Sequence, residues 1–441
     1  MEGRFFYFLL LNQIEEEGVN VSILQDLQER NLIQQFTDEA GLHSLLEEKP
    51  VHLYCGFDPT ADSLHIGHLL PVLLLRRFQL SGHHPIALVG GATGLIGDPS
   101  GKKQERTLNE TATVQEWSDS IRDQLSRFLD FDGVNNPAKV VNNYDWIGKM
   151  DVVSFLRDVG KNFGLNYMLA KDSVKSRIDQ GISFTEFSYM ILQSLDFFTL
   201  YEREDCQLQI GGSDQWGNIT AGLELIRRSH GDVKAFGLTV PLVTKADGTK
   251  FGKTEGGAIW LDADKTSPYE FYQFWLNTDD RDVQKYLNTF TFLSKTERDD
   301  LATATEEEPH LRKAQRVLAE ELTELVHGKE ALEQAQKISE ALFSGEIRNL
   351  TADEIEMGFK DVPSFALEAD ASKDLVEVLV AAGISPSKRQ AREDIGNGAV
   401  YVNGERQQEL GYTLTDTDKI EGRFTIVRRG KKKYFVLRYT A

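Results

Sequence analysis

Two cysteines in 441 residues leave little room for disulfide or metal chemistry. Cys55 and Cys206 stand far apart with no metal or redox spacing around either, so no metal site is expected, and this usage suits a reducing cytoplasm. Long apolar runs are missing as well. The only one near a terminus, Phe5 to Leu11, gives way to Glu15-Glu16-Glu17; it is too short to span a bilayer and lacks a small-residue cleavage site. No membrane partner is expected, and residues 1–21 read as a disordered or artefactual extension. Positive charge is outnumbered, 49 Lys and Arg against 69 Asp and Glu, and the formal net charge of −20 at first argues against a nucleic-acid partner. Two nucleotide fingerprints are also absent. No glycine stands five residues before Gly101, so the Gly-rich loop at 90–103 fails the G-x-x-x-x-G-K-[ST] spacing, and no G-x-G-x-x-G occurs.

What is present is an ordinary globular composition, 40% hydrophobic and 27% charged, long enough for two to four domains. The charge is unevenly placed. From Lys373 onward thirteen Lys and Arg face nine Asp and Glu, a local +4, which leaves −24 on the first 372 residues. Between Arg423 and Arg438 there are seven basic residues and no acidic one. A basic module fused to an acidic body points to one anionic partner held at a defined place.

Val51 to Phe57 is rich in β-formers and ends at the Asp58-Pro59 turn, so it predicts a strand. A helix follows from His65-Ile66-Gly67-His68. The strand Pro85 to Val89 then runs into the Gly-rich loop. Strand, helix, strand and loop predict a doubly wound parallel sheet with its ligand crevice at the strand ends. His65 and His68, three apart, project from one side of a first helical turn whose free N–H groups and dipole favour an anion. Gly67 leaves room for a base or ribose against the backbone. Downstream lies Lys250-Phe251-Gly252-Lys253-Thr254. Together these segments suit a triphosphate attacked at its α-phosphorus.

With Gly94 to Lys102, Tyr189 to Asp196 and Gly211 to Asn218, these motifs make five in order. In them the chain resembles the class I aminoacyl-tRNA synthetases, and among these the bacterial tyrosyl enzymes, from about Ser22 to the C-terminus. The resemblance implies a Rossmann-like catalytic domain, L-tyrosine and ATP with Mg²⁺ as substrates, tRNA(Tyr) as partner, no tightly bound cofactor and a homodimer in the cytoplasm. Thr60 and His65 match phosphate-holding positions; Gly67 and His68 match positions beside the ribose; Asp214 matches an adenosine-ribose contact. Gly56 and Asp58 belong to the same ATP set. Lys102, Arg106, Lys250 and Lys253 match the mobile cations that close over pyrophosphate. Tyr54 and Asp196 match the pair that holds the substrate phenol. Asp98, Tyr189 and Gln193 match the cluster around its amine, and Gln215 lies near its carboxylate. Tyr189, Gln193 and Asp196 fall at i, i+4 and i+7, one helical face. Phe251-Gly252 and Thr254 depart from the commonest form of the second motif.

The domains expected are 22–243, Rossmann-like; 244–343, helical; 344–372, an irregular acidic linker; and 373–441, a small α+β module. Ser385-Pro386 starts a helix in that module on which Lys388, Arg389 and Arg392 share a face. Asn403-Gly404 marks a hairpin. The module resembles an S4-type RNA-binding domain, with Arg428, Arg429, Lys431 and Lys432 on its last hairpin. The rivals weighed are a tryptophanyl enzyme, which has no use for the Tyr54/Asp196 pair, a small nucleotidylyltransferase, and an RNA-binding scaffold without activity.

Overall fold

The computed structural model describes residues 22–101, 108–178, 181–231, 233–249, 251–254, 257–360, 362–368, 373–430 and 433–440. The stretch 1–21 and the candidates Lys102, Arg106, Lys250, Lys431 and Lys432 lie outside the described residues. The chain divides into two compact units. One takes the described residues up to Lys265 with Asp279–Ala314; the other takes Thr266–Thr278 with the residues from Gln315 on. Among the described residues no helix is long and apolar enough to cross a membrane.

The first unit is built on six strands: β1 (Gln35–Phe36), β2 (His52–Phe57), β3 (His84–Val89), β4 (Lys139–Asn142), β5 (Cys206–Gly212) and β6 (Phe236–Val240), in the order β1-β6-β5-β2-β3-β4. Five run parallel; β1 alone pairs antiparallel, with β6. The order reverses beside β2, with β3 on one side and β5 on the other, and ligands gather at such a switch point. Leu53, Ile86, Leu88 and Leu208 are buried, as strands covered by helices on both faces require. The helices that place the site are α1 (Ile66–Leu80), α2 (Thr111–Leu125), α3 (Phe184–Glu204) and α4 (Trp216–His230). A short hairpin, β7 (Lys253–Thr254) with β8 (Gly257–Ala258), carries the second motif.

The Asp280–Phe290 helix belongs to this unit together with the Lys295–Glu307 helix that follows it, to which Gln284 and Asn288 are bonded through Arg298. Arg30 and Arg77, both buried, donate to the Thr291 carbonyl at 3.0 and 2.5 Å, and Arg30 also reaches the carbonyls of Asn288 and Leu293. Two cations at a helix C-terminus satisfy its unpaired carbonyls and oppose its dipole.

The second unit holds α5 (Pro268–Leu276), α6 (Lys329–Ser344), α7 (Ala352–Gly358), α8 (Leu375–Ala381) and α9 (Lys388–Gly396). Its strands are β9 (Ser364–Leu367), β10 (Val400–Val402), β11 (Glu405–Gln407), β12 (Phe424–Arg429) and β13 (Lys433–Tyr439), in the order β11-β10-β12-β13-β9. Val400, Val402, Val427 and Leu437 face α8 and α9, while Phe424, Ile426 and Val436 face α6 and α7. Within 344–372, expected as a linker, described residues from Ile347 to Leu367 take part in the packed cores and sheet of this unit. Ile347, Leu350, Ile355 and Phe359 pack on Ile338 and Ile426, and β9 pairs in parallel with β13. That pairing joins residues some seventy apart, so no local pattern announces it.

Candidate active site

The first motif is a helix cap made of two histidines. His65 is the N-cap of α1; its Nδ1 accepts from the Gly67 N–H at 3.0 Å, while Nδ1 of His68 accepts from the His65 N–H at 3.2 Å. Each ring satisfies one of the N–H groups a helix start leaves unpaired. The rings stack with centroids 3.9 Å apart. A Cβ at Gly67 would lie 2.7 Å from the His65 ring, so any side chain there displaces the cap.

The second motif is brought against this turn. Gly252, at φ +80°, sits where a Cβ would meet the Ile66 side chain at 3.1 Å. Gly252 O accepts from Ile259 N–H at 3.2 Å, Ile259 O accepts from Ile66 N–H at 2.9 Å, and Leu261 N–H donates to Leu64 O at 2.9 Å. The Phe251 ring anchors the loop from outside, stacked on Phe290 at 5.3 Å and tilted against Tyr286 at 5.1 Å. The backbone at Lys253 therefore lies in β7 next to the histidine turn, although nearly two hundred residues separate them in sequence.

Where β2, β3 and β5 meet α3, polar and acidic side chains gather. Tyr189 and Asp196, both buried, come from α3. The Tyr189 hydroxyl donates to Asp58 Oδ2 at 2.6 Å, and Thr93 Oγ1 donates to Asp58 Oδ1 at 2.7 Å. Burial raises the Tyr189 phenol well above its usual range, and Asp58 and Asp98 raise it further. Asp58, expected in the ATP set, is thus bonded to Tyr189, expected in the amine cluster. Gln215 Nε2 donates to Asp98 Oδ2 at 2.7 Å, and Asn218 Nδ2 joins Gln215 Oε1 to Gln193 Oε1, both at 3.1 Å. Asp98, Gln193 and Gln215 therefore form one network, and carboxylates with neutral acceptors beside them suit a cationic amine.

At the far end Asp196 accepts from Asn143 Nδ2 at 3.0 Å and from Trp146 Nε1 at 2.8 Å. Burial pushes its carboxyl up to about 8, against the pull of these two donors. Tyr54, 1% exposed, packs its ring on Phe197, and its hydroxyl has no partner among the described residues. Burial raises the phenol well above its usual range, and Asp196 adds to that. A buried hydroxyl left without a partner beside a carboxylate is incomplete on its own.

Asn143 and Trp146 were not anticipated from sequence, nor was Thr93. Asn143 is fully buried and joins Thr93 Oγ1, at 2.9 Å, to Asp196. The signal available was a polar pair, Asn142-Asn143, at the end of β4 on the ligand side of the sheet. Thr60 and Gly56 are exposed. Asp214 lies beside two glycines, where a Cβ on Gly212 would meet its carboxylate at 2.6 Å.

A parallel sheet read at its switch point, with a histidine-capped helix beside a lysine-bearing hairpin, defines a class I synthetase site. Residues 46–344 match the family "tRNA synthetases class I (W and Y)", and residues 354–437 match "Tyrosine--tRNA ligase SYY-like C-terminal domain". Tyrosine--tRNA ligase 1 of Bacillus licheniformis is 71% identical over 417 residues, covering 95% of this chain and 99% of that protein. Tyrosine--tRNA ligase 1 of Bacillus subtilis is 70% identical over 419 residues, with the same 95% and 99% covered. A C-terminally truncated mitochondrial tyrosyl-tRNA synthetase of Aspergillus nidulans superposes with a TM-score of 0.67 at 33% identity, over 75% of this chain and 97% of its own. The chain belongs to the tyrosyl-tRNA synthetase family of class I ligases.

Proposed function

We propose that the chain activates L-tyrosine with MgATP and passes it to the terminal ribose of tRNA(Tyr). The observation that carries this is the unpartnered Tyr54 hydroxyl beside the Asp196 carboxylate, a donor and acceptor set for a phenol. The tyrosine carboxylate oxygen attacks the α-phosphorus, pyrophosphate leaves, and a ribose hydroxyl of tRNA then attacks the adenylate carbonyl and expels AMP. No protein nucleophile takes part, so catalysis is positioning and charge stabilisation. Asp58, Asp98 and Tyr189 hold the ammonium end. The ring N–H groups of His65 and His68, with Thr60, Lys102, Arg106, Lys250 and Lys253, meet the phosphates and ribose. A site built to bond a hydroxyl rejects the analogue lacking it by roughly 10⁵, a figure that comes from this same enzyme type.

The working form is a homodimer in the cytoplasm. Val152, Val153, Leu156, Leu165, Leu169, Ile178 and Phe184 are all exposed within one stretch of the first unit, and Phe184 reaches 77%. So many large apolar side chains close in sequence mark a face that needs cover, and a second copy of the chain supplies it. Both cysteines are free and buried, which suits a reducing compartment. The C-terminal module supplies the tRNA contact. There Arg389, Arg392 and Arg428 make no ion pair among the described residues, whereas Lys388 is paired with Glu377 and Arg429 with Asp394. Tyrosine-dependent exchange of pyrophosphate into ATP tests the first half-reaction; exchange supported by tryptophan and not by tyrosine overturns the substrate.

A further inference from the structure

The strand register of the C-terminal sheet sets a cation and an aromatic alternately across four strands. Tyr401 on β10 lies opposite Arg406 on β11 and opposite Arg428 on β12, and Arg428 lies opposite Tyr434 on β13. Residues directly opposite in a sheet share a face and touch. The row therefore stands on one side of the sheet, the side that Phe424 and Ile426 present to α6 and α7. Its inner end is fixed. The Tyr434 hydroxyl donates to Leu342 O at 3.3 Å and its ring meets Phe359 edge-on at 5.7 Å. Arg406 is also committed, donating to the carbonyls of Gly398 and Asn397 at 2.8 and 3.0 Å.

The middle of the row is different. The Arg428 guanidinium lies over the Tyr401 ring, 3.9 Å from its centroid, and 5.9 Å from the Tyr434 ring. It makes neither an ion pair nor a hydrogen bond among the described residues. Its neighbour Arg429 points to the opposite face and is used up, with Asp394 at 2.8 Å and the Ile384 carbonyl at 2.9 Å. Alternation along one strand thus separates a structural arginine from one held flat with its five donors unspent. A planar cation already ordered against a ring loses little freedom when a second flat group lies on it. The stretch around it, Arg423 to Arg438, carries seven cations and no acid, so the flat group comes on a polyanion.

We propose that Tyr401 and Arg428 form a stacking platform for one unpaired nucleobase of tRNA. The base lies on the guanidinium–phenol pair, and the edge donors of Arg428 bond the base edge or the adjoining phosphate. It rests on the C-terminal module holding tRNA, and it adds where and how one nucleotide is held.

The test measures tRNA affinity across a salt series for the full-length chain and for Tyr401→Leu, Tyr401→Phe and Arg428→Lys, with tyrosine–ATP exchange and the thermal midpoint as fold controls. Tyr401→Leu is expected to weaken binding roughly 5- to 100-fold, the range for loss of one stacked base, with the slope of log Kd against log salt unchanged, because no phosphate contact is lost. Tyr401→Phe, which keeps the ring, binds like the parent. Arg428→Lys keeps the charge and the slope yet loses affinity, because an ammonium is not planar. Parent-like binding by Tyr401→Leu overturns the platform and leaves tRNA binding by the module standing; so does full affinity in Arg428→Lys, which would make Arg428 a simple phosphate contact. Failure of the parent chain to bind tRNA overturns both.

Discussion

His65 and His68 share one cap: each ring turns Nδ1 toward a backbone N–H of the same turn, at 3.0 and 3.2 Å. A nitrogen that accepts there carries no hydrogen, so in this cap the ring hydrogen of each histidine sits on Nε2. The helix start thus fixes the tautomer of two imidazoles at once.

Structural and chemical roles of His65 separate by substitution. Asparagine is a good N-cap, so His65→Asn is expected to keep stability within about 0.5 kcal/mol of the parent while slowing pyrophosphate exchange by about 10²-fold. His65→Ala should lose both, with about 1 kcal/mol of stability gone. Urea unfolding and exchange kinetics on the two variants read this directly; equal destabilisation by both would make the histidine purely structural.

Tyr54→Phe sets stability against selectivity. Its hydroxyl is buried without a partner among the described residues. Removing it should therefore leave the free protein unchanged or more stable by about 1 kcal/mol, since a desolvation cost disappears. Tyrosine affinity should fall and the preference for tyrosine over phenylalanine should shrink. Thermal melts with and without tyrosine, together with exchange on both amino acids, decide it. A clear loss of stability in the free variant would mean that the hydroxyl is bonded within the protein.

Acid should destabilise the chain through His83. Burial pushes this imidazole down to about 4, and the neighbouring His84 lowers it further. Its Nδ1 accepts from the Val51 N–H at 3.2 Å, which needs the neutral ring. The unfolded chain binds the proton more tightly, so stability is full above pH about 6.5 and declines as pH falls toward 4, by about 2 kcal/mol at pH 5. His52, also lowered mainly by burial, adds in the same direction. Urea midpoints at pH 7 and pH 5 should differ less in His83→Gln than in the parent; an equal difference removes His83 from the account.

Phe184→Asp should give monomers. A charge placed at this 77% exposed ring cannot be buried against a second copy without several kcal/mol of cost. Sedimentation at micromolar protein is the measurement, and a parent-like dimer would place the interface elsewhere.

Much of the site was legible before folding, because its motifs are local. A strand ending at Asp58-Pro59, a helix opening on His65 and His68, and Tyr189 and Asp196 on one face of α3 follow from spacings of two, three and seven residues. What was missed is non-local. Asn143 matters because β4 ends beside α3, which carries Asp196, and no pattern in its own neighbourhood reports that. β9 was hidden for the same reason: it is short and half-exposed, and becomes a strand only beside β13.

The sequence by itself determined the five ordered motifs, the parallel sheet and the basic module, since periodicity, turn chemistry and charge act over a few residues. Tertiary structure alone decided the rest: that Gly252 rests on Ile66, that Asp58 takes the Tyr189 hydroxyl, that Arg428 has no ion pair among the described residues while Arg429 has one. Those outcomes depend on which surfaces bury one another across hundreds of residues, and burial is a property of the packed chain.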